Sequence, residues 1–283
     1  MIHGRSPVTV WTGVGDLHVS VVGSGPPALL WHSLFVDSSQ WSRVRAALAA
    51  HRTLLLVDGP GHGSSGPPAG RFTLEDCATA AARVLDELDV PGPVDWLGNA
   101  WGGHIGLVFA ATRPTRTQTV TAIAAPVRPL GGIERARIIA LLTAYRLAGP
   151  VRPLAAAIAD TMLAPEVRRT DPSAEQLVLD AFRTAPRTGM CRAMRSAMLD
   201  RQDLTSLLGQ IPVPALLIAG ADDAMWTPAQ ADAAAGMLTA GKAVAIRGTR
   251  HLPPLEAPAE VASCVLDFWH SHREPPDEAP RAN

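Results

Sequence analysis

The chain has 283 residues, 47% of them hydrophobic, and a formal net charge of −1. That is enough to bury a sizeable core in one large α/β domain, and there is no basic excess to favour nucleic acid or an anionic membrane surface. Three widely spaced cysteines (Cys77, Cys191 and Cys264) form no CxxC pair, which argues for idle thiols in a reducing compartment. The N-terminus lacks a basic start followed by an apolar run, and no apolar run reaches bilayer length, so a soluble, cytoplasmic protein is expected.

Short runs rich in Val, Ile and Leu alternate with longer Ala/Leu/Arg segments, the pattern of strands and helices built around a mostly parallel sheet. "VTVW" (8–11) and "HVSVV" (18–22) predict a leading hairpin, with Gly13 and Gly15 between them. Buried parallel strands are predicted at 28–31, 53–58, 94–98, 119–125, 215–220 and 243–246, and helices at 41–50, 74–88, 101–112, 228–238 and 258–270. Thr73 with Asp76 three residues on imitates a capping box, and Pro258 suits a first helical turn. Residues 129–209 are helical in pattern, Arg-rich and broken by prolines, with no convincing strand. They predict a helical cap inserted between two halves of the core, 1–128 and 210–271. Met190, Met194 and Met198 recur there at helical spacing, which suits cap packing. The Pro-rich polar stretch 272–283 is expected to be a disordered tail.

The chemistry concentrates in loops that follow strands. "GNAWGG" (98–103) stands between an apolar strand and an Ala/Leu helix. A turn that tight needs small flanking residues, here Gly98, Gly102 and Gly103, and it aims the helix's free N–H groups at whatever sits above it. Trp101 N–H is the natural first oxyanion donor. "HSLF" (32–35) follows the strand 28–31, and brings a second N–H, that of Leu34, to the same point, with His32 bracing the loop. "DGPGHGSSGPP" (58–68) makes a rigid loop in which His62 reads as structural. "AGADDAMWTP" (219–228) brings two carboxylates, and "GTRHLPPLEAP" (248–258) brings one histidine. An Asp followed by a His, each beyond a strand's carboxyl end, is how an imidazole base is held and oriented.

In this order the five pieces resemble the α/β-hydrolase superfamily, over roughly residues 8–128 and 210–271. The resemblance implies a twisted, mostly parallel sheet flanked by helices, with an inserted cap. It puts the base on His251, the acid on Asp223 (with Asp222 as the alternative), the oxyanion hole on Leu34 and Trp101, and the nucleophile position on Ala100. Glu256 matches a family glutamate that hydrogen-bonds behind the histidine loop. The chain departs from the pattern twice: Ala100 has only a methyl, and Ser33 replaces the usual glycine.

Without the hydroxyl no acyl-enzyme can form, but a base, its acid and two N–H donors still suffice for proton transfer or for activating water. Three readings stay open. The first is an enzyme acting on a small apolar carbonyl compound (an ester, a lactone or a relative) through the His–Asp pair. The second is a serine-to-alanine inactivated hydrolase, and the third is a catalytically dead small-molecule binder. His32, Ser33, Asn99, Met225 and Trp226 are expected to line the substrate site, near Trp31 and Trp101, with Trp41 in the core. His104 reads as a packed helix histidine. No metal, nucleotide or other cofactor is expected, since neither metal-ligand spacing nor a glycine-rich phosphate motif occurs. A small-molecule substrate is the only partner expected; the oligomeric state is left open.

Overall fold

The computed structural model describes residues 6–272. Its frame is an eight-stranded sheet of strands β1 (Val8–Thr12), β2 (Gly15–Gly23), β3 (Pro27–Trp31), β4 (Thr53–Val57), β5 (Val94–Asn99), β6 (Thr117–Ile123), β7 (Ala215–Gly220) and β8 (Gly241–Ile246). They are ordered β1-β2-β4-β3-β5-β6-β7-β8. The leading hairpin pairs antiparallel, β1 with β2 and β2 with β4; every other pairing is parallel. β3, β4, β5 and β7 are buried along almost their whole length, as expected of strands covered on both faces.

Helices connect the strands: α1 (Arg45–Ala49), α2 (Leu74–Glu87), α3 (Trp101–Thr112), α4 (Gly132–Ala148), α5 (Arg152–Met162), α6 (Pro165–Thr170), α7 (Pro172–Thr184), α8 (Arg187–Met194), α9 (Thr205–Leu208), α10 (Pro228–Ala235), α11 (Pro253–Glu256) and α12 (Pro258–Ser271). The larger apolar cluster joins α2, α3 and the helices that follow β6; a smaller one joins Trp41, α1 and α12 on the other side of the sheet. α2 begins with the capping box read from Thr73 and Asp76, both reciprocal bonds being present. α3 is buried on nearly all sides, so it needs no polar face.

Several boundaries differ from the sequence reading, three of them for a visible local reason. The helix expected at 41–50 is split: Asp37 caps a separate 3₁₀ turn, Ser38–Trp41, and α1 starts only at Arg45. The strand expected at 119–125 runs from Thr117 to Ile123 and stops where Ala124 adopts φ 48°. α10 ends at Ala235, ahead of Gly236, which stands at its C-cap. Of the tail expected at 272–283, His272 is ordered, its Nδ1 bonded to Phe268 O; the rest lies outside the described residues. Between β6 and β7 the described residues form only helices, α4–α9. No described helix is long and apolar enough to cross a membrane.

Candidate active site

Four loops at the carboxyl ends of β3, β5, β7 and β8 carry the candidate site residues. After β5 the chain turns sharply into α3 at Ala100, whose φ of 46° and ψ of −101° put a non-glycine residue in a sparsely populated region. Ala100 N donates to Ile123 O at 2.7 Å. The turn closes because its flanks lack side chains. A Cβ on Gly98 would lie 2.1 Å from Gly102 O, and one on Gly102 would lie 2.0 Å from Trp31 O. Gly102 N in turn donates to His32 O at 3.2 Å, tying the β3 loop to the start of α3.

The β3 loop is fixed from several directions. His32 is fully buried: its Nε2 accepts from Gly59 N at 2.8 Å and its Nδ1 donates to Ser33 O at 2.6 Å. Ser33 N donates to Gln40 Oε1 at 2.8 Å. The next residue, Leu34, and Trp101 are buried, and among the described residues neither of their backbone N–H groups donates to a protein acceptor. Two such donors, at neighbouring loop and helix starts, are suited to hold an oxyanion. The Ser33 hydroxyl is buried and likewise without a partner among the described residues.

The β7 and β8 loops meet. His251 Nδ1 donates to Asp223 Oδ2 at 2.8 Å, and Asp223 Oδ1 accepts from Met225 N at 2.8 Å. Both members of the pair are buried, and His251 is only 5% exposed. With Nδ1 committed, Nε2 is the imidazole nitrogen left for chemistry. Asp222, the alternative acid, is exposed and makes no bond to the imidazole. Glu256 braces the loop from behind: it accepts from Arg250 N at 3.0 Å, Leu252 N at 3.1 Å and Ala164 N at 2.7 Å. Burial pushes its carboxyl above the usual glutamate range, and the backbone bonds pull it back. The segment between β6 and β7 reaches the same loop directly, since His251 N donates to Met162 O at 3.1 Å and Arg250 Nη1 to Asp160 O at 2.6 Å.

Two of the residues expected at the substrate site commit their polar atoms to the protein. His32 has both ring nitrogens committed, and fully buried Asn99 spends its amide on Ile123 O (3.2 Å), His251 O (3.1 Å) and Gln40 Nε2 (3.2 Å). Neither has a free polar hydrogen for a ligand. Met225 is partly exposed, and the buried indole of Trp226 has no bonded partner among the described residues. Trp101 packs edge-on against Trp31 at 5.8 Å and against His32 at 5.7 Å, while Trp41 sits in the opposite core. His104 is buried in α3, its Nε2 donating to Pro126 O at 2.9 Å, and His62 Nδ1 donates to Pro60 O, so both are packing histidines. The described residues include no group of three or more His, Cys, Asp or Glu placed to hold a metal ion. A cleft of about 160 Å³ lies between residues 71–76 and 196–204; Phe72, on its wall, is 6.2 Å from Trp101. Gln40 and its amide chain went unread in the sequence, because a glutamine ahead of Trp41 looks like any helix-surface residue.

The family model described as alpha/beta hydrolase family matches residues 28–263, and the chain belongs to that family. It is similar to the pimeloyl-[acyl-carrier protein] methyl ester esterase of Stenotrophomonas maltophilia, 29% identical over 258 residues that cover 89% of this chain and 96% of the relative. Among solved structures it superposes on an enol-lactonase from Burkholderia xenovorans with a TM-score of 0.84 and 25% identity, covering 94% of this chain and 100% of the other. An esterase from Thermogutta terrifontis gives a TM-score of 0.88 at 23% identity, covering 95% and 100%, and shows the shared fold.

Proposed function

We propose that the protein transforms a small, largely apolar carbonyl compound, an ester, lactone or relative, without a covalent intermediate. His251 is the base, Asp223 its orienting acid, and Leu34 and Trp101 supply the oxyanion donors. What carries this reading is the 2.8 Å bond from His251 to Asp223 retained beside a turn whose central residue, Ala100, has no hydroxyl. Esterase and enol-lactonase names among the relatives favour the same substrate class.

The chemistry follows from the groups present. His251 Nε2 removes a proton from water as its oxygen attacks the carbonyl carbon, and the developing oxyanion is held by the two N–H groups. Collapse expels the alkoxide, which takes the proton back from the imidazolium. With a carbon acid the same base removes the α-proton and the same donors hold the enolate. The helices of 129–209 act as the cap, and the cleft walled by Phe72 is the approach we assign to the substrate.

A second reading is favoured by one observation. The strained backbone at Ala100 is what a projecting nucleophile needs and what an alanine does not, so Ala100 would stand where a serine was replaced in an otherwise intact hydrolase.

The test of the first reading is a screen of the unmodified protein against activated esters, lactones and acidic carbon compounds, repeated with His251→Ala. Turnover that falls by about a hundredfold or more in the variant supports the base; equal rates in both end it.

A further inference from the structure

We infer that Gln40 and Asn99 are positioning residues: their side-chain amides form one buried relay that fixes the oxyanion loop and the base at a set distance from each other. This rests on the reading of His251 as base and of the Leu34 N–H as oxyanion donor.

The relay can be followed bond by bond. Ser33 N donates to Gln40 Oε1 (2.8 Å), and Gln40 Nε2 donates to Asn99 Oδ1 (3.2 Å). Asn99 Nδ2 then donates to His251 O (3.1 Å) and to Ile123 O (3.2 Å), the same carbonyl that accepts from Ala100 N. Gln40 and Asn99 are both fully buried. Three loops far apart in the chain are thus joined through two amides. Each amide has its orientation forced, because a flip would set donor against donor or carbonyl against carbonyl.

Ala100 explains why such a relay matters. In a hydroxyl-bearing turn the nucleophile itself hydrogen-bonds the imidazole and helps to locate it. A methyl offers no such bond. His251 is then located by Asp223 on Nδ1 and by the backbone bonds of its own residue, of which the one at its carbonyl comes from Asn99. At the other end, Gln40 holds the N–H of Ser33, the residue before the Leu34 donor. Both side chains are fully buried and Asn99 spends both amide hydrogens on protein carbonyls, so the pair acts through the groups it holds.

The test uses Gln40→Glu and Asn99→Asp, each nearly isosteric and each deleting amide donors. The nuclear magnetic resonances of the Leu34 backbone amide and the His251 imidazole are followed in the full chain. A relay predicts that each change is felt at the far end: Gln40→Glu moves the His251 ring signals, and Asn99→Asp moves the Leu34 amide, while resonances on the opposite face of the sheet stay in place. On any substrate turned over, kcat falls by about ten- to a hundredfold with KM within about twofold, the signature of displaced groups rather than lost binding. Far-end resonances that stay put in a folded variant overturn the relay. Should one variant fail to fold, the other reads the same coupling from its own end. Failure here is separable from failure of the base reading: a silent relay with a His251→Ala variant that still loses turnover removes only the relay, whereas unchanged turnover in His251→Ala removes the base.

Discussion

Ala100 keeps a backbone conformation that costs of order 1–3 kcal/mol for a residue with a side chain, yet carries only a methyl group. The flanking glycines remain as well, with Gly98 and Gly102 packed too closely for a Cβ. The turn therefore keeps the tight, strained form on which the two proposed readings of the site depend, and these diverge on one substitution. On the replaced-serine reading, Ala100→Ser places its Oγ beside His251 and becomes labelled by a fluorophosphonate probe, with His251→Ala abolishing the labelling. Strong esterase activity accompanying the label would favour the replaced-serine reading; a folded but unlabelled variant would show that the site has been rebuilt for other chemistry. At this scale the sequence was most legible where a residue type is demanded by contact or strain. The preference for Asp223 over Asp222 came from the family resemblance, whereas the glycines that flank Ala100 could be read from residue type and spacing. The roles of Asn99 and Gln40 could not, because the partners that consume their amides lie up to 152 positions away.

The loop between β8 and α11 has little regular structure of its own, yet the proposed chemistry requires it to hold His251 in one place. Glu256 makes that possible by accepting from three backbone N–H groups, two within the loop and one at Ala164, where α5 gives way to α6. Removing it leaves buried donors without an acceptor, each costing about 1–3 kcal/mol. Glu256→Ala is therefore expected to lower unfolding free energy by roughly 3 kcal/mol or more in urea titrations, and Glu256→Gln, which keeps a carbonyl oxygen, by clearly less. Equal stability of Glu256→Ala and the unmodified protein would show that the bonds contribute nothing. Strand and helix positions were legible because apolar runs and helical spacing are local signals. The split at residues 41–45 was not, since it depends on the Asp37 side chain capping a turn that no periodicity announces. The bonds that the His251 loop makes to Met162 and Asp160 were equally hidden, being accepted by backbone carbonyls that carry no sequence signature.

Across the whole molecule the loops of the candidate site sit at one end of the sheet, while a buried Arg52–Asp95 pair at 2.7 Å, covered by Trp269, closes the other. A histidine and tryptophan cluster lies at the end with those loops: the ring of His62 is 5.1 Å from that of His32 and 5.2 Å from that of Trp101. Burial, and then the charge of His32, hold His62 down to about 3; burial likewise lowers His32 and His104. A histidine depressed in the folded state binds its proton more readily when unfolded. Its contribution to stability is complete above the ordinary histidine value and is lost as pH falls from about 6.5 towards 3. For His62 alone the loss by about pH 5 is roughly 2 kcal/mol. The raised carboxyls of Asp95 and Glu256 act with the opposite sign in their own range, since they favour the folded state as they protonate. Urea midpoints at about pH 7.5 and about pH 5 are expected to fall further apart for the unmodified protein than for His62→Gln; equal pH dependence in the two would remove this contribution.

The chemistry itself is tested most directly by following turnover of an activated aryl ester while the intact protein is quenched at intervals and weighed by mass spectrometry. The expected result is product release that disappears in His251→Ala, with the protein mass unchanged throughout. An acyl adduct on the chain, or turnover indifferent to the loss of His251, would contradict a base working through water above the Ala100 methyl.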